Sequence, residues 1–305
     1  MKPLNEDEEI RVLGGSQWHA AGENEVAVSR GEQLQQKQPQ KRNHFVKKLL
    51  VALLILGALV SCAFYCYLEF YVYRFNYPLS RTQEEVIASF TRPHSTSVVG
   101  ISATQDSILG VSMKLFKIDG LKAELVVGVP DLEDENLYLV TRSSDYRYQH
   151  DEPVIIGDYI LSGEELQHNG WRAGYFSIVD GNAEIGVGRR PEMRAHILEN
   201  QGSMFRQFAL VSAGIKCLSQ YRLKGKVPRS AYARMPNNDL YFVETKYPET
   251  LFGFSDALIE YGFVDAIYIT GGAQTDLFYR DANGVRHGEY VDDKPHRMVV
   301  WKKTL

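Results

Sequence analysis

Residues 229–272 read RSAYARMPNNDLYFVETKYPETLFGFSDALIEYGFVDAIYITGG, and this stretch decides the predicted fold. Two runs that are rich in apolar residues flank an Asn-Asn pair at 237–238, which predicts two strands joined by a turn. Apolar residues at helical spacing then predict an amphipathic helix from about Glu249 to Tyr261, and Gly262 supplies the usual stop. The helix leads directly into VDAIYIT, which we interpret as a buried strand.

This last strand ends at Thr270, and two glycines, Gly271 and Gly272, follow it. Glycine lets the backbone turn sharply and approach a ligand closely. The pair therefore predicts the floor of a cleft. An ordinary tight turn between two strands is the alternative interpretation.

The chain beyond residue 95 is rich in predicted strands. Asp-Gly or Asn-Gly pairs at 119–120, 180–181 and 283–284 predict three hairpins. Pro191 opens a predicted helix that Gly202 closes. We therefore expect an α/β (α+β) fold, with a mixed, largely antiparallel sheet flanked by a few helices and preceded by one transmembrane helix.

An uncharged apolar run, LLVALLILGALVSCAFYCYL, occupies residues 49–68. About 20 apolar residues suffice to cross a bilayer as a helix, and this run has no polar stripe. Basic residues lie mostly before it, since only Arg74 and Arg81 follow closely, and the positive-inside rule places the N-terminus in the cytoplasm. The basic residues that precede it most closely are Lys41, Arg42, Lys47 and Lys48. We expect a single-pass membrane protein whose C-terminal domain is extracytoplasmic.

A second interpretation of this run stays open. Residues 59–62, Leu-Val-Ser-Cys, resemble a bacterial lipobox, in which cleavage leaves a lipidated cysteine at Cys62. Signal peptides have short charged leaders, whereas here 48 residues precede the apolar run. An uncleaved anchor is therefore the preferred prediction.

The predicted organisation has four parts. Residues 1–48 form a disordered cytoplasmic tail, 49–70 the transmembrane helix, 71–94 a membrane-proximal connector helix, and 95–305 one globular domain. A net charge of −4 argues against nucleic acid as a partner. Three cysteines without ligand spacing predict no disulfide framework and no metal site.

Several segments resemble, in order, the phosphodiester glycosidase domain family, which includes the mannose-6-phosphate uncovering enzyme. They are FSIVDGNAEIG, FRQFALVSAGI, the 229–272 block and PHRMVVWKK, so the resemblance covers roughly 170–305 and is best over 229–272. Arg229 matches the arginine that opens the family's R-x-A-x-G strand. Gly271 and Gly272 match its glycine pair, and Arg297 matches its late arginine.

The sequence also departs from the family's pattern. Thr270 stands where the family has an aspartate, and Ala273 and Gln274 replace the following Gly-Ser. The family's early Asn-Gly-Gly-Phe-Phe stretch is absent from its expected place. These departures concern catalysis more than fold.

The resemblance implies cleavage of a sugar-phosphate linkage. Such cleavage needs a cation at the phosphate and a carboxylate near the anomeric carbon. We assign the first role to Arg229. Thr270 has only a hydroxyl and cannot act as the base, so Glu244 and Asp276 are the candidate carboxylates.

Ordinary structural roles are the alternatives for these residues. An ion pair between Arg229 and Glu244 across their hairpin would account for both. Asp145 and Asp158 occupy predicted strand ends and are further candidates. For each of the four acids a solvated or salt-bridged surface position is the alternative, since acids are mostly exposed.

Two functional hypotheses follow. The first is a membrane-anchored hydrolase of the bacterial cell envelope with catalytic Arg229, Glu244 and Asp276. Thr270, Gly271, Gly272 and Arg297 would then bind the substrate. The second is a catalytically inactive ligand-binding or interaction module of the same fold. In both, the partners are the membrane and a glycan or sugar-phosphate ligand, with no cofactor.

Overall fold

The computed structural model describes residues 40–68, 78–91, 98–144, 146–149, 152–168, 172–188, 190–217, 225–269, 277–281, 283–288 and 297–304. The chain divides into two compact units, Met1–Gly57 and Ala58–Leu305. The helices are α1 Gln40–Tyr67, α2 Gln83–Ser89, α3 Pro191–Glu199 and α4 Leu251–Tyr261.

The strands fall almost entirely after residue 99. They are β1 Gly100–Ile108, β2 Val111–Asp119, β3 Lys122–Val127, β4 Leu137–Arg142, β5 Tyr146–Gln149, β6 Glu152–Ile155, β7 Tyr159–Leu161, β8 Glu164–Gln167, β9 Gly174–Val179, β10 Asn182–Val187, β11 Ser203–Gln207, β12 Ala209–Ser212, β13 Ile215–Lys216, β14 Ser230–Arg234, β15 Leu240–Thr245, β16 Asp265–Ile269, β17 Phe278–Arg280, β18 Arg286–His287 and β19 Arg297–Lys302. Every pairing among them is antiparallel within the described residues, which confirms the predicted α+β class.

Helix α1 is the one helix of the described residues that is long and apolar enough to cross a membrane. It has 28 residues and begins at Gln40, nine residues before the predicted span. Residues 40–48 are therefore helical, not disordered as predicted. Once an apolar segment nucleates a helix, lysine, arginine and glutamine extend it at little cost. Residues 1–39 and 69–77 lie outside the described part.

Helix α2 begins at a capping box. The Thr82 hydroxyl accepts a bond from the Glu85 backbone N–H (3.2 Å), and Glu85 accepts one from the Thr82 N–H (2.7 Å). Thr82 is thus the N-cap of α2. One side of α2 packs into the folded body, because Val86 and the C-cap residue Phe90 are buried in one cluster with residues of α3 and of β7, β9 and β11.

The strands form three larger sheets and one strand pair. The seven-stranded sheet has the order β1-β2-β15-β14-β16-β12-β13. The two five-stranded sheets have the orders β10-β9-β11-β7-β8 and β18-β17-β4-β19-β3, and β5 pairs with β6. Each of the three larger sheets contributes buried side chains to one shared apolar cluster.

One predicted hairpin is wrong. The Asp-Gly pair at 119–120 does not join paired strands, because β2 belongs to the seven-stranded sheet and β3 pairs with β19 in another. The turn instead passes the chain from one sheet to the next. Strand β2 instead forms a hairpin with β1, across a turn at Leu109-Gly110. The hairpins at 180–181 and 283–284 are confirmed.

The 229–272 block folds as predicted up to Ile269. Strands β14 and β15 form a hairpin, and β16 pairs with the other side of β14. The Thr250 hydroxyl caps α4 by accepting from the Gly253 N–H (3.0 Å). Gly262 ends the helix at φ +111°, a backbone conformation that favours glycine.

Alternate residues of β14 face different parts of the core. Ala231 and Ala233 pack with α4 in one cluster. Tyr232 points to the inner side between the sheets, where its hydroxyl contacts Thr141 Oγ1 (2.6 Å) and accepts from Trp301 Nε1 (2.9 Å). This alternation decides where the neighbouring polar side chains point.

Candidate functional site

The candidate site lies at one end of the seven-stranded sheet. Lys114 of β2, Glu244 of β15, Ser230 of β14 and Ile269 of β16 form one row in register across four strands. Residues 270–276 follow this row directly. The predicted site residues Thr270, Gly271, Gly272 and Asp276 lie outside the described residues, as does Asp145.

Arg229 is bound by backbone at this end of the sheet. Its Nε donates to the Glu249 carbonyl (2.9 Å) and its Nη2 to the Gly225 carbonyl (3.0 Å). Its Cζ lies 5.9 Å from the ring centre of Tyr268, and the residue is only 5% exposed. The guanidinium therefore ties the segment before β14 to the start of α4.

Glu244 is buried with only half of its carboxylate engaged. One oxygen lies 3.5 Å from Lys114 Nζ, and Oε2 is buried without a hydrogen-bond partner. Burial raises the pKa of this carboxyl above its ordinary value, and the Lys114 charge opposes that rise. Such a group can hold or release a proton closer to neutral pH than a solvated glutamate can.

Arg229 and Glu244 point to opposite faces of the sheet. Arg229 lies on the face of the sheet that packs against α4, together with Ala231 and Tyr268, whereas Tyr232 points to the opposite, inner face. Glu244 shares the inner face with Phe242, two residues earlier on the same strand. The structure therefore brings the two side chains together neither as a catalytic pair nor as the alternative ion pair.

Arg297 is at the same end, on the facing sheet. It alternates in phase with Val299 and Trp301, which lie in the inner core cluster. Its Cζ lies 5.4 Å from the ring centre of Tyr159, and its Nε is buried without a hydrogen-bond partner. Its backbone carbonyl accepts from the Ser143 N–H (3.0 Å) and hydroxyl (2.9 Å).

Contacts between the two sheets indicate this common end, because the Tyr138 ring lies beside Gly100, opposite Asp119, and the Tyr279 ring centre lies 4.8 Å from that of Phe116. Ile269 is in register with Ser230, and Phe278 is in register with Val140 of β4. Strand β4 therefore runs from the Asp119 end of β2 toward its Lys114 end, where Ser143 follows it. Glu244 and Arg297 thus lie on facing inner surfaces, and the inner faces of packed sheets are about 10 Å apart.

Tyr159, Ser143 and Lys114 are site neighbours that sequence reasoning missed. Burial raises the pKa of Tyr159 to about 12, so its hydroxyl stays protonated, and it lies 3.3 Å from Ser143 Oγ. No local pattern marks these residues, because each reaches the site through contacts between segments that are far apart in the chain. Asp158, the other acid considered, is instead buried beside Arg206 (3.4 Å) and Arg194 (3.8 Å).

A cavity of about 510 Å³ lies at the opposite end of β14 and β16. Arg234 forms a buried ion pair with Asp265 there, and Ser80 Oγ donates to Asp265 (2.5 Å). Arg81 pairs nearby with Glu184 (2.5 Å). These contacts attach the segment before α2 to the folded body. Within the described residues, no group of three or more His, Cys, Asp or Glu side chains is placed to hold a metal ion.

The fold of the chain is similar to that of solved structures. No protein-family profile and no curated protein sequence matches the chain. The catalytic domain of zebrafish N-acetylglucosamine-1-phosphodiester alpha-N-acetylglucosaminidase, auto-inhibited by its pro-peptide, matches with a TM-score of 0.50 at 13% identity over 76% of this chain and 97% of that one. The chain shares this fold.

A second solved structure is also similar. It is a hypothetical protein from Synechocystis, with a TM-score of 0.43 at 12% identity over 67% of this chain and 62% of that one. The likeness to the zebrafish domain confirms the fold that the resemblance of residues 170–305 implied.

Proposed function

We propose that the protein is a membrane-anchored hydrolase that cleaves a sugar-phosphate linkage outside the cytoplasmic membrane, with Glu244 as its acid–base residue. The observation that carries the proposal is the half-engaged buried carboxyl of Glu244 on the inner face of the sheet. The shared fold with a phosphodiester glycosidase catalytic domain supports the substrate class.

Arg297 supplies the cation that the phosphate requires. No hydrogen bond or ion pair joins its guanidinium to another described side chain, and it lies over the Tyr159 ring. A planar guanidinium binds two phosphate oxygens at once, which a lysine does not. The binding role predicted for Arg297 therefore extends to the leaving group.

Arg229 takes a supporting role in this proposal. Both of its engaged nitrogens are held by backbone carbonyls on the α4 face. It holds the start of β14, and so keeps Ser230 and Glu244 in register, without touching the substrate.

The reaction breaks the bond between the anomeric carbon and the phosphate oxygen. The leaving phosphate is stable as an anion, so it needs electrostatic stabilisation by Arg297 more than it needs a proton. The ionised Glu244 takes a proton from water as the water attacks the anomeric carbon, and the oxocarbenium-like transition state collapses to the free sugar. The products are a sugar hemiacetal and a phosphate monoester.

Hydrolysis of sugar-1-phosphodiesters by the detergent-solubilised full-length chain tests this proposal. We expect Glu244→Gln to lower kcat by at least about 100-fold, the usual share of general acid–base catalysis. Glu164→Gln is the matched control, because Glu164 is an exposed acid on β8. Equal rates for wild type and Glu244→Gln would contradict the role of Glu244.

A non-catalytic binding module is the second candidate. It is favoured by the engagement of Arg229 with backbone and by the threonine that the sequence carries at 270. Saturable binding of a sugar phosphate without turnover would support it, and a gain of turnover in Thr270→Asp would strengthen it. Turnover by the wild-type chain would rule it out.

A further inference from the structure

Strand β1 is an open edge of the seven-stranded sheet. It pairs with β2 over all nine residues, from Gly100 to Ile108, without a bulge. Within the described residues no strand pairs with its other side. Its outer backbone N–H and C=O groups therefore form a straight, unpaired template about 30 Å long at the usual rise per residue.

This edge carries few of the features that protect open edges. Residues 102–107 are exposed on both faces of the sheet, and they read SATQDS. Natural edges are usually blocked by lysine, proline, bulges or covering segments. Here Asp106 is the one charged residue in the strand, and the strand has no proline.

We propose that β1 pairs antiparallel with β1 of a second copy of the chain, about a two-fold axis at Thr104. In this register Thr104 faces its own equivalent, Ser102 faces Asp106, and Ala103 faces Gln105. Cross-strand threonine pairs are favourable, and a serine hydroxyl can donate to the aspartate opposite it. The strand is thus complementary to itself.

The same register keeps like charges apart. The two Asp106 side chains lie four residues from each other along the paired strands, about 13 Å at the usual rise. Exposed charges at that separation are largely screened at physiological salt, where the Debye length is about 8 Å. A second copy can therefore occupy the edge without charge repulsion, and no basic partner is needed.

The membrane anchor makes this weak pairing effective. One strand pair is a small contact compared with the roughly 1,000 Å² of a stable soluble interface. Copies that share one membrane meet at a much higher effective concentration than free chains. The proposal therefore predicts pairing in the membrane and dissociation on dilution in detergent, and it does not depend on the hydrolase activity.

Disulfide trapping in native membranes tests the register. The full-length chain carries Cys62→Ser and Cys66→Ser to remove the exposed native thiols. Two copies of Thr104→Cys would bring their Cβ atoms about 4.5–5.5 Å apart, near disulfide distance. The matched control is Ser107→Cys on the same exposed strand, whose copies lie about 20 Å apart.

We expect a covalent dimer from Thr104→Cys on mild oxidation and its loss in Ser107→Cys. No dimer from Thr104→Cys, or equal dimer from both variants, would overturn the proposal. A second variant, Thr104→Lys, places two like charges opposite each other and should abolish pairing in the membrane without lowering the melting temperature. Pairing that persists in Thr104→Lys would also overturn it.

Discussion

At the level of single residues, the carboxylate of Glu244 and the guanidinium of Arg229, which the sequence analysis assigned to one catalytic site, have separate roles. Glu244 has a buried oxygen without a partner, whereas Arg229 is bound by two backbone carbonyls. Alternation along β14 and β15 separates them, because a shift of one residue moves a side chain to the other face of a sheet. Stability and activity measurements can therefore distinguish their roles.

The raised pKa of Glu244 makes stability depend on pH. Its pKa in the folded protein lies above the ordinary value of 4.5, because burial disfavours the charged form. The folded state therefore binds the proton more tightly than the unfolded state. The contribution of the protonated Glu244 carboxyl to the free energy of unfolding is therefore fully present below pH 4.5, and it is lost as the pH rises through the pKa of the folded state. Glutamine mimics the protonated form, so Glu244→Gln should raise the melting temperature at pH 7 and leave it nearly unchanged at pH 4.

Thermal denaturation of wild type and Glu244→Gln at both pH values checks this prediction. The exposed-acid variant Glu164→Gln provides the control. An equal melting temperature for wild type and Glu244→Gln at pH 7 would show that burial of the ionised carboxylate does not destabilise the folded state.

Arg229 should matter for folding more than for chemistry. Arg229→Ala leaves two backbone carbonyls without their charged donors, which costs on the order of 3 kcal/mol of unfolding free energy. Lysine cannot reproduce the fork, so Arg229→Lys should recover only part of this loss. Chemical denaturation measures the effect. If Arg229→Ala kept wild-type stability but lost all turnover, Arg229 would have a catalytic role and not a structural one.

At the scale of elements, local signals predicted most helices and hairpins. Pro191 opens α3, Thr250 and Gly262 bound α4, and the turns at 180–181 and 237–238 join paired strands. These features depend on residues close in sequence. The Asp-Gly pair at 119–120 gave the same local signal, yet the chain changes sheets there, because tertiary packing and not the turn decides which strands pair.

The site was less predictable for the same reason. The alternation of small and large residues in β14 could have placed Arg229 and Glu244 on opposite faces of the sheet. Ala231 and Ala233 face one side of the sheet and Tyr232 faces the other. The neighbours Lys114 and Tyr159 could not be found this way. They meet Glu244 and Arg297 only through contacts between strands far apart in the chain.

The segment before residue 95 should be essential to the folded body. Val86 of α2 and the C-cap residue Phe90 fill a buried cluster, and Arg81 pairs with Glu184. A chain of residues 95–305 exposes that cluster, at about 1.5–3 kcal/mol for each large side chain. We expect a chain of residues 78–305 to melt cooperatively at a higher temperature. Equal melting temperatures would support the predicted boundary at 94/95.

At the scale of the whole molecule, the orientation of the anchor is the first prediction. The basic residues at the start of α1, ahead of its apolar run, favour a cytoplasmic N-terminus. Protease added to cells stripped of their outer layers should degrade a C-terminal epitope and spare an N-terminal one. The reverse pattern would contradict this orientation, and a mature chain that begins at Cys62 would favour the lipoprotein interpretation.

In the proposed reaction, water attacks the anomeric carbon of a sugar phosphodiester with Glu244 as base. Hydrolysis in ¹⁸O-labelled water, followed by ³¹P NMR of the phosphate product, tests it most directly, because attack at carbon leaves the phosphate unlabelled. We predict an unlabelled phosphate monoester from the wild-type chain, formed at least about 100-fold more slowly by Glu244→Gln. Label in the phosphate, or product formation that Glu244→Gln leaves unchanged, would contradict the claim.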